Sequence, residues 1–507
     1  MAIDLHQVFC GHAAMRGEAP FLILPDGAII TYAMAHDRAA RIAGVFAALG
    51  VRRGDRIAVQ VDKSADALLT WLAALHIGAV FLPLNTAYTP GEVGYFLRDA
   101  APALLLHRAG EAAAAVPACL TMEALAECLR LGVVPAPAAA GSPDDPAAIL
   151  YTSGTTGRSK GAVLSRANLA ANAATLTALW RFGPNDVLLH ALPIFHTHGL
   201  FVATNIALVA GCAMILLPKF DAGELVRLMP RASVLMGVPT FYTRLLAEPG
   251  FTRECAAPMR LFVSGSAPLS AETHRAFAER TGHAILERYG MTETGMNTSN
   301  PYDAARVPGS VGLPLPDVAL RIADPDTGAI LPQGDIGVIE VKGPNVFQGY
   351  WQMPEKTASE FRADGFFITG DMGRIDDWGY VHIVGRAKDL IICGGFNVYP
   401  AEVEALLDAI PGIGESAVIG VPHPDMGEGV VAVVQARDPA PDEPSLDEAP
   451  LNEAAVLAAL DGRIARFKQP RRVIFLPELP RNAMGKIEKA KLREAYADAF
   501  ARLAPAT

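Results

Sequence analysis

Between residues 32 and 84 the chain switches repeatedly between two hydrophobic patterns, and this narrows the fold more than any other feature. Tyr32–Leu49 spaces its apolar residues as an amphipathic helix, Arg56–Gln60 reads as a short strand, Ala65–His76 as a helix and Val80–Leu84 as a buried strand. Strands alternating with helices imply largely parallel sheets covered by helices, an α/β architecture. The rhythm resumes at Val234–Val238 and Leu261–Ser264. From about residue 306 to 385, Gly and Pro turns separate short runs such as Gly337–Val341, which predicts a mainly β subdomain. Beyond about residue 390 strand and helix signals mix again, as at Ser416–Val421, and the acidic, Pro-containing stretch Asp438–Glu453 reads as an exposed loop.

At 507 residues the chain has material for roughly three domain-sized units. Its 51% hydrophobic and 19% charged residues place it among globular proteins. A net charge of −10 without a basic cluster argues against a broad nucleic-acid footprint, although a local pocket can still attract an anion. The six cysteines form no CxxC pair or Cys/His cluster in the linear sequence and read as reduced thiols of a cytoplasmic protein. The N-terminus lacks a basic region followed by an apolar core, so no secretory signal is expected. Phe201–Pro218 is apolar and barely long enough to span a bilayer, but Gly211 interrupts it and Lys219 and Asp221 follow. A buried helix, a turn and a core strand are expected there, and no membrane span.

Chemistry is most concentrated at Thr152-Ser153-Gly154-Thr155-Thr156-Gly157-Arg158-Ser159-Lys160. Hydroxyls and backbone N–H groups can converge on one anion, the glycines permit close approach, and the lysine adds charge. The spacing is not that of a Walker loop. Apolar runs at 147–151 and 161–164 flank it, so a strand–loop–strand with a polyphosphate-gripping tip is expected in place of a Ser/Thr/Gly tether.

Five more segments carry polar chemistry: Phe195-His196-Thr197-His198-Gly199; Ser264-Gly265-Ser266-Ala267-Pro268; Glu287-Arg288-Tyr289-Gly290-Met291-Thr292-Glu293; Thr369-Gly370-Asp371 with Gly385-Arg386-Ala387-Lys388-Asp389; and Pro480 to Lys486. With the Thr152–Lys160 loop, in this order and over nearly the whole chain, they resemble the adenylate-forming superfamily of acyl-CoA synthetases, luciferases and adenylation domains. The resemblance is sharpest to the malonyl-CoA synthetases, through Glu287–Thr294, Met296–Ser299 and Gly237–Arg244. It implies a large α/β N-terminal domain (1–387, with the β-rich subdomain) and a small, mobile α+β C-terminal domain (388–507) hinged at Lys388. It also implies ATP, Mg²⁺ and coenzyme A as cofactor and co-substrates.

Residue roles follow from that resemblance. Thr152, Ser153, Gly154, Thr155, Thr156, Gly157 and Lys160 would hold the β- and γ-phosphates, Thr292 the α-phosphate, and Glu293 the Mg²⁺. Tyr289 would stack on adenine, opposite Gly265, Ser266 and Ala267. Asp371 would accept the ribose hydroxyls and Arg386 would reach ribose or phosphate. Lys486 and His196 would act at the reacting carboxylate, His198 would flank the acyl pocket, and Gly394 and Gly395 would line the pantetheine channel. On residue type alone Tyr289 also suits a core, Glu293 and Lys486 a solvated surface, the histidines a structural role, and Gly394-Gly395 a plain hairpin turn. The context of Lys486 is similar to that of lysines modified by a lysine acetyltransferase in related synthetases.

Arg288 points to the acid. A buried guanidinium is costly unless an anion answers it, and its fork suits a carboxylate. A dicarboxylate supplies one end for reaction and the other for Arg288, with Arg244 and Ser266 as further contacts. Malonate is the expected substrate, and methylmalonate stays open beside it. Pairing of Arg288 with Glu287 or another acid, and a surface place for Arg244, are the competing readings. The rival functions are a general short-chain or aryl acyl-CoA synthetase, a carrier-protein-loading adenylation domain and a non-catalytic AMP-binding protein of the same fold.

Overall fold

The computed structural model describes residues 3–108, 116–152, 159–394, 396–424, 426–437, 451–482 and 485–500. The chain forms two compact units, residues 1–320 with 341–368 and residues 321–340 with 369–507.

Two sheets build the first unit. One runs in the order Gly349–Tyr350, Lys160–Ser165, Pro146–Thr152, Val80–Pro83, Arg56–Gln60, Leu104–His107, Ala118–Thr121. The other runs Leu313–Pro314, Gly295–Ser299, Leu286–Met291, Leu261–Ser264, Val234–Gly237, Val187–His190, Ala213–Leu216, Pro20–Ile23, Ile29–Thr31. The strands flanking the run from Leu286–Met291 through Pro20–Ile23 pair with it antiparallel, whereas the strands within the run are each parallel to the next. Loops leaving their carboxyl ends therefore gather along one edge, the usual ligand edge of an α/β sheet.

The helix Ala65–Ile77 shows how sequence dictates placement. Ser64 caps its first turn by accepting from the Ala67 N–H, and Gly78 ends it in the left-handed region at φ 67°. Every residue from Ala67 to Ile77 is buried, so this helix has no solvent face and is an interior element. Trp71 packs on Phe81 and Phe201 and donates from Nε1 to Asn205 Oδ1 at 3.2 Å. Truncating such a residue as Leu68 to Ala would cost about 2–5 kcal/mol.

The apolar run after residue 200 folds into the interior. It begins as a π-helical stretch, His198–Thr204, continues as the helix Asn205–Ala210, turns at Gly211 (φ 68°) and ends in the strand Ala213–Leu216. Among the described residues no helix is long and apolar enough to cross a membrane. All six cysteines are free. Linear spacing shows no Cys/His cluster, yet the fold builds one: Cys10 Sγ lies 3.6 Å from His6 Nε2 and 3.5 Å from His36 Nε2, and His6 Nε2 lies 3.0 Å from His76 Nδ1. Burial, then the neighbouring His76, lowers the His6 pKa to about 4.

One sheet, most of whose residues belong to the second unit, runs Ala319–Ala323, Gly337–Lys342, Phe367–Ile375, Val381–Arg386. The other is centred on the antiparallel pair Ile413–His423 and Gly427–Ala436. Side chains alternate across that pair. Val418, Val430, Ala432 and Val434 pack with Val403, Leu407 and Val456, whereas Ala417, Ile419, Val431 and Val433 pack with Leu479, Leu492 and Phe500. Both faces are covered, which is why these strands read as continuous apolar runs.

Candidate active site

Strands Pro146–Thr152 and Lys160–Ser165 pair antiparallel with Thr152 opposite Lys160, so the two described ends of the phosphate loop are held side by side. Ser153, Gly154, Thr155, Thr156 and Gly157 lie outside the described residues. Thr152 Oγ1 donates to Glu293 Oε1 at 3.3 Å, and the Tyr350 hydroxyl lies 3.2 Å from the same oxygen. That hydroxyl is only 2.6 Å from Glu360 Oε2, the shorter of its two carboxylate contacts. Glu360 in turn receives Lys160 Nζ at 3.1 Å and Lys356 Nζ at 2.6 Å, and the Lys160 ammonium sits 4.3 Å from the Tyr350 ring centroid. Burial alone would raise the Glu360 carboxyl, but hydrogen bonds from Lys356, Tyr350 and Lys160 more than offset it and hold the pKa below its ordinary value. Tyr350 and Glu360 carry no local motif. They are brought to the loop by the pairing of Gly349–Tyr350 with Val163 and Ala162, a relation that no short-range spacing reveals.

Arg288 lies on the strand Leu286–Met291, paired with Ser299 across the next strand. It is 3% exposed, and neither Nε nor Nη2 has a hydrogen-bond partner. Burial pushes its pKa down to about 9, offset only in part by Tyr242. Glu287 does not answer it. Successive residues of a strand face opposite ways, and Glu287 Oε1 instead accepts the Gly309 N–H at 3.3 Å. Burial raises the Glu287 pKa to about 8.

The loops at the ends of the parallel strands close around Arg288. Gly265 follows Leu261–Ser264, and a Cβ on it would stand 2.4 Å from Arg288 Cζ, so the guanidinium lies against bare backbone. Ser266 adopts φ 72°, a left-handed conformation that a serine takes at a cost of order 1–3 kcal/mol. Its Oγ lies 3.3 Å from His198 Nδ1. His198 is buried, its Nε2 has no partner, and burial, with Arg288 next in weight, lowers its pKa well below the ordinary value, so the ring is neutral. His196 Nδ1 accepts the His198 backbone N–H at 3.3 Å. Ala267 continues the Gly265–Ser266 turn, Tyr289 follows Arg288 half-buried, and Thr292 and Glu293 occupy the turn before Gly295–Ser299. Arg244 is exposed on the helix Pro239–Ala247, with its guanidinium 5.8 Å from the Phe220 ring centroid.

Other predicted residues lie in the second unit. Asp371 and Arg386 oppose each other on paired strands, Arg386 Nε 2.7 Å from Asp371 Oδ1. Lys388 is exposed in the single 3₁₀ turn Ala387–Asp389. Gly394, at φ 59°, turns the chain between strands Ile391–Cys393 and Phe396–Val398; Gly395 lies outside the described residues. Lys486 is exposed on a tight turn closed by Gly485 N–H to Asn482 O at 2.8 Å and Asn482 N–H to Lys486 O at 2.9 Å. Among the described residues no group of three or more His, Cys, Asp or Glu side chains is arranged to hold a metal ion.

Comparison with known proteins matches this arrangement to a family. Residues 9–351 fit the model of the AMP-binding enzymes, and residues 402–486 that of the AMP-binding enzyme C-terminal domain. The fold is similar to that of ATP-bound MatB from Rhodopseudomonas palustris, at 54% identity and a TM-score of 0.92, covering 98% of this chain and 100% of that one. A feruloyl-CoA synthase from Amycolatopsis is 36% identical over 93% of this chain and 94% of its own length. A malonate–CoA ligase from Arabidopsis thaliana is 34% identical over 88% of this chain and 78% of its own. The chain therefore belongs to the AMP-binding enzymes and has their adenylate-forming fold, with a large N-terminal and a small C-terminal domain.

Proposed function

We propose that this enzyme is an AMP-forming acid–thiol ligase that joins malonate to coenzyme A. A malonate carboxylate oxygen attacks the α-phosphorus of ATP and pyrophosphate leaves. The thiol sulfur of CoA then gives up its proton and attacks the acyl carbon of malonyl-adenylate, and AMP leaves with the bonding pair. Similarity to the Arabidopsis malonate–CoA ligase and to ATP-bound MatB supports this reading.

The observation that carries the choice of acid is Arg288, a desolvated guanidinium with two donors unmet, pressed on Gly265 beside His198 and Ser266. A second carboxylate on the substrate would meet those donors. A neutral His198 adds a hydrogen-bonding group without a competing charge. Ferulate has no second carboxylate, so Arg288 would stay unanswered in an aryl-acid enzyme. Methylmalonate differs by one methyl, worth about 1–3 kcal/mol in a pocket, and remains a candidate second substrate.

Two anions meet in the first step, so charge neutralisation is the main catalytic task. Thr152, Lys160 and the loop between them suit the β- and γ-phosphates, and Thr292 the α-phosphate. Glu293, a single buried carboxylate ringed by the hydroxyls of Thr152 and Tyr350, fits Mg²⁺, which takes one or two carboxylates and otherwise phosphate and water oxygens. When bound, that ion would neutralise phosphate charge. Tyr289 offers a stacking face for adenine, Asp371 and Arg386 suit ribose and phosphate, and Lys486 supplies a mobile positive charge for adenylation. Lys388, exposed in its short turn, suits a backbone pivot between half-reactions. The exposure of Lys486 also suits a lysine acetyltransferase, whose product would lack that charge.

The test is CoA-dependent AMP release with malonate, methylmalonate, succinate, acetate, benzoate and ferulate side by side. Malonate should give the highest kcat/KM. A preference for benzoate or ferulate would overturn the assignment.

A further inference from the structure

Lys63 lies in the loop after the strand Arg56–Gln60, and its amine is buried against the end of the strand Val187–His190 in the other sheet of the same unit. Nζ stands 2.8 Å from the His190 carbonyl, 2.8 Å from the Leu192 carbonyl and 2.9 Å from His190 Nδ1. On the other side of the imidazole, Nε2 is 2.9 Å from the Gly199 carbonyl and 3.2 Å from Thr204 Oγ1. A carbonyl only accepts, so Nε2 carries the ring proton and Nδ1 of the neutral ring is bare. Three acceptors then surround Nζ, matching the three N–H groups of an ammonium. Burial drives the Lys63 pKa down, whereas the three hydrogen-bond acceptors around Nζ favour the charged ammonium. Burial also keeps His190 neutral.

Gly199 connects this clamp to the acyl pocket. A Cβ there would fall 2.1 Å from the Pro193 carbonyl oxygen and 3.1 Å from Leu192 Cβ, so the segment 191–199 doubles back on itself in direct backbone contact. Lys63 holds one limb of that fold at Leu192, and through His190 it holds the other at Gly199. The residue before Gly199 is His198, which opens the π-helical stretch and meets Ser266. π-Helical stretches are rare and are found frequently at functional sites. Thr204 Oγ1 donates to the same Gly199 carbonyl at 3.0 Å.

We propose that Lys63 is a positioning residue for acid selection: it fixes the Nε2–H tautomer of His190, which anchors the Gly199 carbonyl and so seats His198 against Ser266. This rests on the reading of that pocket as the malonate site.

The test uses the full chain with ¹⁵N-labelled histidine, the His190 ring resonances being assigned by their loss in His190→Gln. Wild-type His190 is expected as the neutral Nε2–H tautomer, and Lys63→Met should shift that balance. Lys63→Met should also raise the malonate KM about tenfold while the ATP KM stays within about twofold. An Nδ1–H tautomer in the wild type, or an unchanged malonate KM in Lys63→Met, overturns the inference. Should Lys63→Met fail to fold, His190→Gln, which can still accept from Lys63 and donate to Gly199, is compared with His190→Leu. The glutamine variant should keep the malonate KM and the leucine variant should lose it; equal values overturn the inference. Arg288→Ala is assayed in parallel. An unchanged malonate KM there sinks the pocket reading, whereas an effect there with none in Lys63→Met sinks the Lys63 inference alone.

Discussion

The backbone of Gly265 and the guanidinium of Arg288 occupy adjoining space so tightly that a single methyl on Gly265 would stand 2.4 Å from Arg288 Cζ. Nothing on the glycine's own backbone demands a glycine, since its φ is not in the left-handed region. What demands it is the arginine. Gly265→Ala should therefore push the guanidinium out of place and raise the malonate KM at least tenfold, with a smaller change in the ATP KM. Steady-state kinetics on both substrates decide this; a malonate KM equal to wild type would show that the guanidinium is free to move.

Removing the guanidinium is the stronger form of the same experiment. Breaking a buried charge pair costs about 3–5 kcal/mol, so Arg288→Ala should lower kcat/KM for malonate by roughly 10²–10⁴-fold. Acetate carries no distal carboxylate, and its activation should be nearly unaffected. If both acids suffer equally, Arg288 serves the fold or the nucleotide and not acid selection.

Those two residues also mark how far the chain could be read unaided. Gly265 and Arg288 both sit in recognisable segments, and strands such as Arg56–Gln60 and Leu261–Ser264 appear where their apolar runs place them, because a buried strand imposes its own composition. Glu287 was an open partner for Arg288 in the sequence, and strand alternation settled the matter. Lys63, Tyr350 and Glu360 were invisible for a different reason. Each acts on a residue more than a hundred positions away, Lys63 on His190 and both Tyr350 and Glu360 on Lys160, through pairing or packing that leaves no trace in local spacing. The π-helical stretch at His198 likewise looks like any apolar helix until the Gly199 carbonyl is seen to be held from outside.

Glu287 predicts a pH effect on stability. Its folded pKa of about 8 lies above the ordinary carboxyl value near 4.3. The folded chain therefore retains a proton that the unfolded chain releases, and the stability this proton provides is complete below about pH 4 and lost as pH rises toward 8. Glu287→Gln keeps an acceptor for the Gly309 N–H without the titration. The variant should match wild type near pH 4 and exceed it as pH rises through 8, by a margin of order 5 kcal/mol at full titration. Chemical denaturation across that range measures it, and parallel curves for the two proteins would refute the assignment.

Lys486 predicts a split between the half-reactions. It stands exposed on a turn set by Asn482 and Gly485, so replacing its side chain leaves the backbone bonds of that turn intact. Lys486→Gln, which also imitates acetylation by removing the charge, should lower pyrophosphate release by about 10²-fold or more. Malonyl-adenylate supplied ready-made should still pass to CoA at close to the wild-type rate, because thiol attack on an activated acyl carbon no longer needs that charge. Equal loss in both assays would mean that Lys486 supports the fold of its unit, and undiminished pyrophosphate release would remove it from the chemistry altogether.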